Sequence, residues 1–171
     1  MRCRPVFSRL ITIRLRAVPF NIKIVQTYDP PSYYNNNEIE EFYDQLKNVI
    51  DQTLKKDILL VQGDWKAKVG KDSCGNWQVI WGRFCNDDTN ERGLRLLEFA
   101  IFHDLLFANT FGHHKASRRW TWQSPIGQHH NKIEYILVRK RFRSGVNIAR
   151  TRSFLGADIG SDHDLLMMTF A

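Results

Sequence analysis

Between residues 11 and 28 the chain changes side at every step. "ITIRLRAV" alternates apolar and polar positions, a Pro-Phe-Asn break interrupts it, and "FNIKIVQTY" takes up the same period again. Period two commits both segments to half-buried strands joined as a hairpin, because only a strand sends successive side chains to opposite faces. The first 28 residues hold several Arg and no acid, as targeting leaders do. A leader carries a helical moment instead, so the hairpin is the better reading.

After a loop from Pro30-Pro31-Ser32 to Asn37 the period lengthens. Ile39, Phe42, Tyr43, Leu46, Val49 and Ile50 recur every three or four residues and define one face of a helix. "DILLVQGD" is a short buried strand that ends at Gly63-Asp64, and residues 70–90 form a loop containing Trp77 and Trp81. A second helix is predicted from about Glu91 to His103, capped by Thr89 or Asn90, with Leu94, Leu97 and Ile101 facing the core. Strands follow at about 105–110, 119–124, 132–138 and 163–170, with another near 146–152. Repeats and low-complexity linkers are absent from the sequence, so the chain reads as one mixed α/β domain of layered sheets with helices outside.

Composition narrows the function classes. The 171 residues, 43% hydrophobic, suffice for one core, and the sequence has no apolar run near the roughly 20 residues that span a bilayer. Lys and Arg number 25 against 18 acids, a formal +7 that favours a polyanionic partner over a neutral one. Cys3, Cys74 and Cys85 form neither a CxxC nor a close Cys/His spacing. That argues against a disulfide framework and a zinc site, and for a reducing intracellular compartment, nuclear or cytoplasmic.

The chemistry-bearing residues stand at strand ends. Asp64 closes "DILLVQGD", Glu134 lies in "KIEYILV", and Asp162-His163 precede the last strand in "GADIGSDHDLLMMTF". Strand mouths converge in layered sheets, so groups distant in sequence can gather there. Phosphodiester hydrolysis asks for this set: a carboxylate to take a proton from water, acids to hold a metal, and an oriented imidazole for the phosphate. Each residue alone is ordinary at a strand end; the joint pattern carries the inference.

"HHKASRRWTWQ" and "RKRFR" place cations beside aromatic rings. Lys115, Arg118, Arg119 and Trp122 are the candidate nucleic-acid contacts, suited to phosphate pairing and stacking. Strand alternation sends one of Trp120 and Trp122 to the core. His113-His114 and His129-His130 form no metal pair, since adjacent strand residues face opposite sides.

"LLVQGDWKAKVG", "TWQSPIGQHHNKIEYILV" and "GADIGSDHDLLMMTF", preceded by "IKIVQTYDPPS" and "EIEEFYDQLKNVI", resemble in order the blocks of the endonuclease/exonuclease/phosphatase family. The similarity is greatest to the apurinic-endonuclease-like domains of LINE-type (non-LTR) retrotransposons. It runs over residues 8–171, leaving 1–7 as an N-terminal extension. It implies a DNase I-like four-layer α/β/β/α sandwich that hydrolyses DNA phosphodiesters with a divalent metal, usually Mg2+. By the same resemblance His163 contacts the scissile phosphate and Glu134 orients it. Asp162 lies at the metal centre, Asp64 activates water, and Tyr28 sits near the phosphate.

Three departures set the expectations. Lys66 stands where the family has the Asn of Gly-Asp-x-Asn; its ammonium favours charged Asp64 and makes it a poorer base. Glu134 replaces the usual Asp, moving the carboxylate by about a bond length where a site tolerates about 0.5 Å. The family's opening blocks, with an Asn and the Glu that is the principal metal ligand, have no counterpart before Tyr28. The chain is therefore expected to represent a partial sandwich, its first part missing, with the hairpin's edge or apolar face left open. Two functional readings follow: an endonuclease-type hydrolase with impaired activity, or an inactive retrotransposon-derived remnant that at most binds nucleic acid or a protein partner.

Overall fold

The computed structural model describes residues 2–31, 35–86, 88–154 and 160–170. The alternating segments become β2 (Leu10–Leu15) and β3 (Ile22–Tyr28), paired antiparallel from Leu10 opposite Thr27 to Leu15 opposite Ile22. The segment set apart as an extension forms an edge strand, β1 (Arg2–Phe7), antiparallel to β2. The hairpin's outer edge is thus paired, although Ile11 in β2 remains 46% exposed.

The helix α1 (Asn36–Asp51) begins with a reciprocal cap: Asn35 Oδ1 accepts from the Glu38 amide and Glu38 Oε2 from the Asn35 amide, both at 3.0 Å. Its six apolar positions, Ile39 to Ile50, are all buried as the spacing requires. Each contributes roughly 1.5–3 kcal/mol of burial before chain entropy is set against it. α1 is the crossover between β3 and β4 (Ile58–Asp64), which pair in parallel with Tyr28 opposite Asp64.

After the turn α2 (Lys71–Cys74), α3 (Glu91–Phe102) starts at Asn90, whose side chain accepts from the Gly93 amide at 2.8 Å. Its buried face is Gly93, Leu96, Leu97 and Ala100, whereas Leu94 and Ile101 are exposed. This corrects the expected face. A Cβ on Gly93 would meet the Lys68 carbonyl at 1.9 Å, so the helix turns its smallest residue inward and rotates the leucines.

β5 (Leu105–Phe107) is shorter than expected because Thr110 Oγ1 donates to the Phe107 carbonyl and closes a 3-10 turn. β6 (Trp122–Gln123) pairs with β7 (His130–Asn131), and β8 (Glu134–Arg139) runs antiparallel to both β4 and β5. β9 (Val146–Phe154) and β10 (Leu165–Phe170) form a separate antiparallel pair.

The main sheet has the order β1-β2-β3-β4-β8-β5. Arg139 shares a face with Tyr135 and Leu137 and reaches the Ile50 carbonyl at the end of α1, which places α1 on that side. On the other side Gln62, Ile136, Leu165 and Leu166 line one cleft, so the β9-β10 sheet lies there. The described residues therefore give helices, sheet and second sheet, three layers of an α/β/β/α arrangement.

A further sequence expectation is overturned: Cys74 and Cys85 are joined as a disulfide, with Cα atoms 6.5 Å apart. Gly70 bridges to Asn86, which folds the 70–86 loop back on itself and brings the two cysteines together. A separation of 11 residues in a loop carries no periodic signal of that closure.

Candidate active site

The parallel register of β3 and β4 and the antiparallel register of β4 and β8 put Tyr28, Asp64 and Glu134 side by side across three neighbouring strands. Gly63 makes the first step possible: its φ is 156°, and a Cβ there would meet the Thr27 carbonyl at 1.9 Å. β8 is braced from outside the sheet. Asn109 donates to the Glu134 carbonyl and accepts from the Ile136 amide, and the buried Thr121 hydroxyl accepts from the Ile133 and Glu134 amides.

His163 arrives from the second sheet. Residues 121–123 act as its rail: Trp122 bridges to His163, the Gln123 amide donates to the Asp162 carbonyl at 2.9 Å, and the Asp164 amide donates to the Thr121 carbonyl at 2.9 Å. The His163 Nδ1 meets Glu134 Oε1 directly. Glu134's longer side chain therefore reaches the imidazole. Burial is the largest influence on Glu134 and raises its pKa, against the pull of the Thr121 hydroxyl and His163.

The donor atoms of Asp64, Glu134 and His163 lie within 4.8 Å of one another, at a cleft of about 300 Å³ also lined by Gln26, Gln62 and Leu166. A larger cavity of about 530 Å³ lies at Gln78, Trp81 and Phe111, away from these groups. The convergence of titratable side chains, not size, marks the smaller cleft as the site. Glu134 Oε2 is buried with no hydrogen-bond partner among the described residues. Two carboxylates, one with an unused buried oxygen, fit a hard divalent cation.

Asp162 stands at the rim and outside that set. Its Oδ2 accepts from the Trp122 indole N–H at 2.9 Å, and its Oδ1 is 3.8 Å from His163 Nε2. The indole hydrogen bond is the main reason its pKa is lowered. Lys66 ion-pairs with Asp64 and stands 5.4 Å from the Tyr28 ring centroid. Burial alone would lower the Lys66 pKa, but the Asp64 carboxylate outweighs it and the net direction is up. Tyr28 is half exposed.

The nucleic-acid candidates divide. Lys115 and Arg118 are exposed. Arg119 is half buried over the Phe84 ring at 4.6 Å, and Trp122 is half buried and tied to Asp162. Neither Trp120 nor Trp122 is a core residue, contrary to the expectation for one of them: Trp120 stacks on His130 instead. β6 is only two residues long, too short for strand alternation to bury a ring. Sequence reasoning missed Thr121, Asn109 and the indole of Trp122, whose roles depend on partners 12 to 40 residues away.

Comparison with curated proteins decides the ancestry. Over 168 residues the chain is 40% identical to craniofacial development protein 2 of Bos taurus and 39% identical to that of Tragulus javanicus. It is a homologue of craniofacial development protein 2. The match covers 98% of this chain and 28% of either relative's length. No protein-family model matches.

The fold is that of the endonuclease/exonuclease/phosphatase proteins. The endonuclease domain of TRAS1, a telomere-specific non-LTR retrotransposon, superposes with a TM-score of 0.68 at 16% identity, covering 95% of this chain and 63% of that one. NExo, a 3′ phosphatase from Neisseria solved with a product DNA hairpin, gives 0.66 at 15% identity over 95% and 65%. The AP endonuclease LMAP from Leishmania major gives 0.63 at 14% identity over 95% and 54%. Among the described residues no helix is long and apolar enough to cross a membrane.

Proposed function

We propose that this chain carries a phosphodiester-hydrolase site directed at DNA and that, as it stands, the site works slowly. The observation that supports this reading is the Glu134–His163 pair facing Asp64 at the ends of adjacent strands. Glu134 occupies Nδ1 of the imidazole and so fixes the ring, leaving Nε2 to donate to a phosphate oxygen. Asp64 takes the proton from the attacking water, and the Tyr28 hydroxyl lies beside the phosphate. A magnesium ion would be held by Asp64 and Glu134 with Asp162 at the rim, and when bound it would neutralise charge developing on the phosphoryl oxygens. DNA is the favoured substrate because NExo was solved with a DNA product and LMAP is an AP endonuclease. Exposed Lys115 and Arg118 suit its backbone.

Lys66 accounts for part of the slow rate. An ammonium paired with Asp64 occupies the carboxylate oxygen that would meet the attacking water, and it stands where an amide would meet the transition state. Removing one preorganised donor costs about a hundred- to a thousand-fold in rate. The second reading, a retrotransposon-derived remnant that binds nucleic acid without cutting it, draws on the same ion pair. Nicking of plasmid and of an abasic duplex in magnesium, beside LMAP, separates them. The expected rate is at least about a hundred-fold below that of LMAP, and Lys66→Asn alone does not restore it. Magnesium-dependent cleavage that disappears in His163→Ala decides for the enzyme. Cleavage unaffected by His163→Ala contradicts the site assignment.

A further inference from the structure

The cluster that suits a divalent cation already contains a cation of its own. Lys66 grips Asp64 twice: its ammonium ion-pairs with Oδ2, and its backbone amide donates to Oδ1 at 3.0 Å. The ammonium is further held near the Tyr28 ring, 5.4 Å from the centroid, with the Arg9 guanidinium 5.7 Å from the same ring. The Lys66 side chain is 30% exposed, so it lies against Asp64 and does not extend into bulk water. The backbone accepts a cost to put it there, since φ at Lys66 is 49°, a left-handed conformation that Asn adopts more readily than Lys.

We propose that Lys66 is the resident cation of this site and competes with a divalent metal for Asp64, so that the chain binds such ions weakly until the ammonium swings away. A metal ion approaching Asp64 Oδ2 must displace the ammonium from that oxygen, lose the neutralised charge it would otherwise gain, and leave the ammonium nearby as a like charge. Each effect opposes the metal at short range, where the cleft screens charges less than water does. The inference rests on reading Asp64 and Glu134 as a metal-type site, and it concerns occupancy rather than catalysis.

The test is a titration of the whole chain with Mn2+, following the free ion by electron paramagnetic resonance, for the parent, Lys66→Asn and Lys66→Met. The asparagine suits the left-handed backbone, and the methionine removes the charge without adding a ligand. Amide spectra matching the parent establish that each variant keeps the fold. Both variants are expected to bind Mn2+ about ten-fold tighter than the parent, and Asp64→Asn in the Lys66→Asn background should abolish the gain. Equal and tight binding by all three would overturn the proposal and leave the hydrolase reading standing. No binding by any of them would overturn both.

Discussion

Replacing Arg92 by alanine is expected to lower the unfolding free energy at pH 7 by about 3–5 kcal/mol, the cost of stranding a buried charge. Arg92 Nη1 donates to Asp29 Oδ2 and to the Pro30 carbonyl, both at 2.6 Å, and Nη2 donates to the Pro31 carbonyl at 3.0 Å. Asp29 is fully buried. Burial pushes its pKa up to about 6, and the Arg92 charge is the main force holding it from rising further. Because the folded value lies above the unfolded one, the cost of ionising Asp29 appears as pH rises through about 4 to 6 and is absent below that window. The deficit of Arg92→Ala should therefore shrink in acid. The Asp29 amide also donates to the Asp64 carbonyl at 2.9 Å, so the clamp holds both Tyr28 and Asp64 in register. Urea unfolding at pH 7 and pH 4 checks this; a loss under about 1 kcal/mol at pH 7 would contradict a buried unpaired charge.

Lys132→Met should change stability in the opposite direction. Lys132 is 3% exposed, and its ammonium donates to the Phe84 carbonyl at 3.2 Å. Burial is the largest influence and the Arg119 charge adds to it, taking the pKa down to about 7. The folded value is below the unfolded one, so the folded state binds fewer protons between about pH 7 and 10. Stability must fall as pH drops through that window and level off beneath it. At about 1.4 kcal/mol per unit of displacement the penalty at neutral pH is roughly 2–5 kcal/mol. Methionine keeps the length and removes the amine, while the Lys132 backbone keeps both hydrogen bonds to Asn86. The variant should be more stable than the parent at pH 7 by about that amount and flat between pH 7 and 10. A parent whose stability already shows no slope there would contradict the account.

Local periodicity carried most of the architecture. β2, β3, α1 and β4 follow from apolar spacing alone, and Asn90 was legible as a cap because its side chain acts within three residues. What was not legible depends on encounters between distant segments. Gly93 is invisible to a reading that weighs apolar side chains, yet its missing Cβ sets the rotation of α3 against the Lys68 backbone. The Cys74–Cys85 disulfide and the Arg92 clamp on Asp29, Pro30 and Pro31 join segments separated in sequence that share no period. For the site, the sequence named Asp64, Glu134 and His163, and the registers of β4 and β8 bring the first two together. The hydrogen bond from Trp122 that takes Asp162 to the rim needed the fold to be seen.

The central claim is that Glu134 and His163 act as one unit beside Asp64, and a double-mutant cycle tests it most directly. Single-turnover cleavage of an abasic duplex in magnesium, with the chain in excess over DNA, would be measured for the parent, Glu134→Ala, His163→Ala and the double variant. Because the imidazole is useful only when oriented, removing His163 from the Glu134→Ala variant should cost nothing further. Losses that multiply, or a Glu134→Ala variant that cuts as fast as the parent, would contradict the claim.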